Sequence, residues 1–274
     1  MTTGARRFCL AVTLAAGLAL IPFCHAATFS FANTNLLVIN DSTSPPTLAT
    51  PYPSTNTVTG LTGMVVMKAT VTLQGLTHAF PSDIAMLLIG PGGRQSLLMA
   101  EVGGTSKLSV TNLTLTLDDD APNPLPVYTS LQSGTFRPYN GYVAFDGSTN
   151  LPYDLPPPAP QGNSNAVPAL SVFKGADPTG PWRLFVVDDA APNSGAISNG
   201  WSLNLTVGVP LSIARAQTNV VLWWTNAVSG CTLQSKTNPS APWVNLTSAP
   251  VVLAGRYFVT NPITRTNTYY RLVK

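Results

Sequence analysis

The stretches Gly180-Pro-Trp-Arg-Leu-Phe-Val-Val-Asp188 and Trp201-Ser-Leu-Asn-Leu-Thr-Val207 decide the fold of this chain. Each has the length of one strand, each is rich in apolar residues, and turn residues lie between them. A tryptophan at a strand position buries a wide apolar area. We therefore expect Trp182 and Trp201 to anchor the core from neighbouring strands.

Further strand-length apolar runs lie upstream, at Leu36–Ile39, Val65–Leu73, Ile84–Ile89 and Leu113–Leu117. In the run Val65–Leu73, polar and apolar residues alternate from Val66 onward, which predicts one solvent-exposed (wet) face and one core face. The wet face would carry Lys68, Thr70 and Thr72, and the core face Met67, Ala69, Val71 and Leu73. No sustained helical period with a capping residue occurs outside the first 26 residues. The sequence therefore predicts an all-β chain with many turns.

The chain divides into three segments. Residues 1–26 have the features of a signal peptide, because Arg6 and Arg7 precede an apolar run that ends in Cys24-His25-Ala26. Residues 27–208 hold the strand pattern of the main domain. Gly208-Val209-Pro210 is typical of a linker and starts a smaller β module, 209–274. We expect a secreted protein, extracellular or on the cell surface, with the periplasm as the alternative, and no membrane span in the mature chain.

Charge is distributed unevenly between the two mature segments. Residues 27–208 contain all 11 acidic residues of the chain, whereas the charged residues of 209–274 are all basic. The basic residues of the C-terminal module are Arg215, Lys236, Arg256, Arg265, Arg271 and Lys274. The near-neutral total argues against nucleic acid as a partner. The basic module favours a role in anchoring or sorting on an anionic surface polymer.

Cleavage after Ala26 would remove two of the three cysteines, Cys9 and Cys24. The mature chain would then keep Cys231 alone and could form no intramolecular disulfide. We expect Cys231 to be a buried, unreactive thiol, because neither a histidine nor a carboxylate stands beside it.

Three segments, in order, resemble the P domain (P/Homo B domain) that follows the protease domain of kexin and furin-like convertases. They are Gly75–Gly93, which includes His78-Ala-Phe-Pro-Ser-Asp83, then Gly180–Asp188, then Gly195–Leu205. The resemblance covers residues 29–207 and implies a jelly-roll-like β-sandwich of about eight strands, followed here by the small C-terminal β domain. Ala85 replaces an acidic residue of the family pattern, which puts an ion site taken from the family in doubt.

Acidic residues follow two of the strands, at Asp118-Asp119-Asp120 and at Asp188-Asp189. Calcium takes six to eight oxygen ligands, many of them from carboxylates. If the two strand exits lie side by side, Asp118, Asp119, Asp188 and Asp189 form a structural calcium site. The alternative is that these side chains cap turns through hydrogen bonds to the backbone.

Candidate catalytic residues are few, and we predict no enzyme activity. Asp41, His78 and Ser106 follow the order of a subtilisin-type triad, but 28 residues separate His78 from Ser106, far fewer than in that class. His78 is the one histidine of the mature chain, which excludes a multi-histidine zinc site.

The favoured function is a secreted, non-catalytic accessory protein that binds an unknown protein or polysaccharide at the cell surface. An alternative is a carbohydrate-binding module, for which Tyr128, Phe136, Tyr139, Tyr142 and Tyr153 would form an exposed aromatic row. A third interpretation is a component associated with serine-type endopeptidase proteolysis.

Overall fold

The computed structural model describes residues 24–44, 46–105, 108–263 and 267–273. Most of the predicted signal peptide, residues 1–23, lies outside them, and so does Ser106. The strands of the first part are β1 (Cys24–Asn33), β2 (Leu37–Ile39), β3 (Thr47–Leu48), β4 (Ser54–Val58), β5 (Val65–His78), β6 (Ile84–Ile89), β7 (Gln95–Ala100), β8 (Val110–Leu117), β9 (Gly134–Phe136), β10 (Tyr139–Asn140), β11 (Gly180–Asp188), β12 (Gly195–Ile197) and β13 (Trp201–Val209).

The strands of the second part are β14 (Ser212–Ala216), β15 (Asn219–Thr225), β16 (Thr232–Lys236), β17 (Val244–Asn245), β18 (Val251–Leu253), β19 (Arg256–Pro262) and β20 (Tyr269–Val273). Helical structure in the described residues is short: α1 (Tyr142–Phe145) and 3₁₀ turns at Pro81–Asp83, Pro91–Gly93, Asn163–Asn165 and Leu170–Phe173.

Two sheets form a sandwich. The first has the order β1-β13-β5-β12-β2, and β8 pairs with the other edge of β5 and carries β9 in parallel. The second has the order β10-β7-β6-β11-β3, with β4 also paired to β11. The prediction of an all-β, sandwich-like fold is confirmed.

The core between these sheets contains both tryptophans. Trp182 on β11 is 0% exposed and Trp201 on β13 is 1% exposed. Each indole N–H has an acceptor, Pro178 O for Trp182 and Ser54 Oγ for Trp201, both at 2.9 Å. The anchoring role is as expected, but the placement on neighbouring strands is wrong. β11 belongs to the second sheet and β13 to the first, because the chain crosses the sandwich between Asp188 and Gly195.

The alternation along β5 is also as expected. Ala69, Val71 and Leu73 are buried in the core, whereas Thr70 and Thr72 are partly exposed. A period of two therefore assigned these positions correctly. Met67, also predicted on the core face, is only partly buried and Val66 is buried instead, because the pairing of β5 with β13 shifts register between Lys68 and Val66.

The outer face of the second sheet is covered by the Pro-rich segment 150–168. Leu151, Leu155, Ala159 and Ala166 pack there against Ala85, Leu87, Phe185 and Val187. Buried Asn163 holds the segment in shape, because its amide bonds both the N–H and the C=O of Leu155. Covering this face buries β6 completely, which explains its uninterrupted apolar sequence.

The C-terminal module has two small sheets, β14-β15-β19-β18 and β17-β16-β20. Their apolar cluster includes Leu222, Trp224, Leu233, Val259 and Leu272. In the part of the chain that the structure describes, these sheets share no strand with the sandwich, although Met64 of the sandwich packs against their cluster. A small C-terminal β domain thus follows the sandwich. The boundary at 208/209 stays a prediction.

Cys231 is disulfide-bonded in the structure, which describes the chain uncleaved, with residues 24–26 in place. Its side chain is partly exposed, whereas the sequence predicted a buried one. The other two cysteines, Cys9 and Cys24, both stand in the predicted signal peptide. The absence of a disulfide in a chain cleaved after Ala26 therefore stays a prediction.

No helix among the described residues is long and apolar enough to cross a membrane.

Candidate functional site

Four carboxylates and one histidine gather at one end of the sandwich, in what we call the acidic end cluster: His78, Asp83, Glu101, Asp188 and Asp189. β5 ends at His78, β11 ends at Asp188, and Glu101 directly follows β7. Asp83 precedes β6, which lies between β7 and β11 in the second sheet. The sheet order therefore brings together residues that are far apart in sequence.

The centre of the cluster is a buried pair. His78 Nε2 and Asp188 Oδ2 lie 3.0 Å apart, and the two side chains are 0% and 1% exposed. The backbone N–H of Phe80 donates to His78 Nδ1 at 3.2 Å. Because Nδ1 accepts this bond, Nε2 carries the ring proton and donates it to Asp188. Both ring nitrogens are thus bonded inside the protein.

Gly195 on β12 makes room for the histidine ring. β12 pairs with the end of β5, with Gly195 opposite His78. A Cβ on Gly195 would lie 2.5 Å from His78 Cδ2 and closer still to the carbonyl oxygen of Thr77. Glycine at this position therefore follows from the close approach of the two strands.

Asp83 and Asp189 flank the pair and are held by separate contacts. Asn193 Nδ2 donates to Asp83 Oδ2 at 2.9 Å, and the backbone N–H of Asp189 donates to Asp83 O at 2.8 Å. The hydroxyl of Tyr153 donates to Asp189 Oδ2 at 2.6 Å. The backbone after β11 and the turn before β6 are therefore linked directly.

Glu101 completes the cluster in an uncommon backbone conformation. Its φ is +50°, in the left-handed region that side chains other than glycine seldom occupy. Ser82 Oγ donates to Glu101 Oε2 at 3.0 Å. Gly141 packs so closely on the carbonyl of Glu101 that a Cβ there would overlap it.

The cluster shifts the acidities of its members. The pKa of Asp83 is raised to about 6, mainly by burial and also by the charges of Asp188 and Glu101, against the opposing effects of the Asn193 hydrogen bond and of His78. Burial raises the pKa of Asp189 to about 7, with further contributions from Glu101, Asp83 and Asp188, against the bond from Tyr153. Burial also raises the pKa of Tyr142 and Tyr153 above the ordinary tyrosine value. Asp83 and Asp189 therefore hold their protons to a higher pH than an ordinary aspartate does.

The other predicted ligands lie elsewhere. Lys68 Nζ forms ion pairs with Asp118 Oδ1 at 2.9 Å and with Asp120 Oδ2 at 2.6 Å. These two carboxylates raise the pKa of Lys68. Both oxygens of Asp119 accept backbone N–H groups, from Leu170 at 2.8 Å and Ser171 at 2.7 Å. Asp119 thus caps the 3₁₀ turn that begins at Leu170.

The two pairs of predicted calcium ligands are far apart. Asp118 contacts Lys68 and Asp188 contacts His78, and these partners lie at opposite ends of β5. Ten residues of strand span roughly 30 Å. Among the described residues, no group of three or more His, Cys, Asp or Glu side chains is placed to hold a metal ion. The four carboxylates do not form one calcium site, because the two strand exits face opposite ends of the sandwich.

Turn capping accounts for part of what these residues do. Asp118 Oδ1 accepts the N–H of Asp120 at 2.9 Å, and Asp188 Oδ1 accepts the N–H of Ala190 at 3.0 Å. Sequence reasoning found Asp188 and Asp189 but did not predict that Asp83 and Glu101 lie beside them. Asp83 stands inside the segment quoted for the P-domain resemblance. Glu101 carries no local signal, because only the pairing of β6 with β7 brings it to this end.

The aromatic residues proposed for a sugar-binding row do not form one. Tyr128 is 61% exposed and packs edge-on against Phe145. Phe136 and Tyr139 pack against the main core, while Tyr142 and Tyr153 pack on the cluster behind the second sheet. The carbohydrate-binding hypothesis for the sandwich therefore loses the observation on which it depended.

Comparison with known proteins gives no family. Neither a protein-family profile nor a curated protein matches the chain. One solved structure with detectable similarity is the complex of the Aeromonas sobria serine protease and its chaperone, with 17% sequence identity and a TM-score of 0.31. The match covers 68% of this chain and 28% of that one. A similarity this weak supports no argument about fold or function.

Proposed function

We propose that the protein is an exported, non-catalytic accessory protein whose P-domain-like sandwich serves as a scaffold for binding a partner at the cell surface. The observation that carries the proposal is the enclosure of His78. Its side chain is 0% exposed and both of its ring nitrogens are bonded, so it has no free nitrogen to act as a general base on a bound substrate.

The carboxylates support the same conclusion. A glycosidase needs two carboxyl groups on either side of an open sugar site. Asp83 and Asp188 are 5% and 1% exposed and are bonded to Asn193 and His78. Their arrangement favours a structural role.

The association with serine-type proteolysis stays a weaker proposal. Its support is the P-domain resemblance of residues 29–207, and no contact within the described residues adds to it.

The test of the proposal is a turnover assay on the purified mature protein with peptide, ester and glycoside substrates. We expect no turnover above buffer. Turnover that His78→Ala abolishes, in a variant with unchanged circular dichroism, would overturn the proposal. Asp177→Asn is the control, since Asp177 is exposed and belongs neither to the acidic end cluster nor to the set Asp41, His78 and Ser106.

A further inference from the structure

One surface of the C-terminal module has the chemistry of a binding site. β16 lies between β17 and β20, with Gln234 opposite Asn245 on one side and Arg271 on the other. Lys236 is opposite Tyr269 in the next row of that face. Trp243, immediately before β17, lies against Lys236 and Arg271. We call Gln234, Lys236, Trp243, Asn245, Tyr269 and Arg271 the cationic aromatic face.

The sheet has a clear inner and outer side, and this face is the outer one. The alternate residues Leu233 and Leu272 are 5% and 1% exposed and belong to the core of the module. None of the six residues of the face is buried, and Tyr269 is 39% exposed. The face is therefore open to a large ligand.

The cations are held in place by groups that do not neutralise them. Lys236 Nζ lies 4.8 Å and Arg271 Cζ 4.3 Å from the centre of the Trp243 ring. Arg271 Nε donates to Gln234 Oε1, and Gln234 Nε2 donates to Asn245 Oδ1, both at 2.8 Å. Aromatic and amide contacts orient a cation and leave its charge intact.

Among the described residues, no carboxylate forms an ion pair with either of these two cations. Residues 209–274 contain no acidic residue. The ion pairs among the described residues involve Lys68 and His78, both in the sandwich. Lys236 and Arg271 stand on neighbouring strands in diagonal positions, about 7 Å apart at their bases. Two oriented, unpaired cations at this spacing are complementary to successive acidic groups of an extended anionic polymer.

From this juxtaposition we infer that the cationic aromatic face binds an acidic polysaccharide. The exposed phenol ring of Tyr269 packs against the apolar face of a sugar ring, Trp243 orients the two cations, and the Asn and Gln amides bond hydroxyl groups. A peptide strand would instead pair with a sheet edge through its backbone. A nucleic acid would need more than two cations, since such proteins neutralise about 6–10 phosphates. The inference rests on the proposed binding role and assigns it a site and a ligand class.

The experiment measures binding of the full mature protein to polygalacturonate, dextran sulfate, neutral dextran and an oligothymidine. We expect binding to polygalacturonate or dextran sulfate that weakens with salt, and none to neutral dextran. The comparison of the two anionic glycans tells carboxylate from sulfate recognition. Equal or tighter binding of the oligothymidine would overturn the choice of a polysaccharide.

Variants locate the site. Lys236→Gln with Arg271→Gln should weaken binding about tenfold or more, as loss of 1.4 kcal/mol or more would. Arg215→Gln with Arg256→Gln removes the same charge from exposed positions on the other small sheet and should change binding less than about threefold. Equal losses in the two double variants would show general charge attraction and overturn the site.

Trp243→Phe and Trp243→Ala test whether binding needs an aromatic ring at this position, independently of any effect on folding. We expect the phenylalanine variant to keep most of the affinity and the alanine variant to lose about tenfold at an unchanged melting temperature. Should no glycan bind while the turnover assay stays blank, the inference fails and the non-catalytic scaffold stands. Turnover in that assay would instead remove the proposed function.

Discussion

At the scale of single residues, the packing of Gly195 against His78 makes a sharp prediction. Gly195→Ala places a methyl group within overlap distance of the His78 ring and the carbonyl of Thr77, and neither is the free end of a flexible chain. We expect a loss of about 2–4 kcal/mol in the free energy of unfolding, measured by urea denaturation. Ser194→Ala, an exposed neighbour, should change it by less than about 0.5 kcal/mol. Equal losses in the two variants would contradict the tight packing.

Substitutions of the adjacent Asp188 and Asp189 should change the stability of the fold in opposite directions. Asp188→Ala leaves the buried N–H of His78 without an acceptor and should cost about 2–4 kcal/mol. Asp189→Asn at pH 8 removes a carboxylate whose ionisation is opposed by burial, and its amide oxygen can still accept the Tyr153 bond. We expect a higher melting temperature for Asp189→Asn. A lower one would show that the Asp189 charge stabilises the fold.

The raised pKa values of Asp83 and Asp189 predict how stability depends on pH. A carboxyl whose folded pKa lies above its unfolded value binds protons more tightly in the folded state, so its contribution is complete below about pH 4 and is lost as pH rises through 6 to 7. We expect the free energy of unfolding to fall by roughly 1–3 kcal/mol between pH 5 and pH 8. Asp189→Asn should flatten this slope. An unchanged slope in that variant would contradict the shifted acidity of Asp189.

At the scale of elements, Asp119 joins the exit of β8 to the turn Leu170–Phe173. Its carboxylate accepts two backbone N–H groups that would otherwise lack partners at the start of that turn. Asp119→Ala should cost about 1–2 kcal/mol in unfolding free energy, measured by urea denaturation. Asp120→Ala is the matched control, because its side chain is 77% exposed and a surface ion pair contributes less than about 1 kcal/mol. A larger loss at Asp120 would refute the capping role.

At the scale of the whole molecule, the separation of the two acidic pairs bears on calcium. Each of the four carboxylates already bonds protein groups, and the pairs lie at opposite ends of β5. We expect equal melting temperatures in excess calcium and in chelator. A rise with calcium that Asp118→Asn abolishes and Asp188→Asn leaves intact would place a site at the Lys68 end and contradict this expectation.

The sequence alone determined the fold class and much of the packing of single strands. Apolar and polar side chains alternate along β5, and a strand buries its apolar face. The burial of Ala69, Val71 and Leu73 therefore follows from the local sequence pattern. The continuous apolar run of β6 likewise predicted a strand, and the two tryptophans predicted core anchors. The change from an acidic to a basic half is visible in the sequence as well.

Tertiary structure decided which residues meet. Sheet order is set by long-range pairing, so it alone placed Trp182 and Trp201 in different sheets, separated Asp118 from Asp188, and brought Asp83 and Glu101 to His78. The same is true of Lys236 on β16, Arg271 on β20 and Trp243 just before β17, which share one face only because β17 and β20 pair with β16. A sequence pattern reports the environment of one strand, and the neighbour across the ladder is chosen by the packing of the whole sheet.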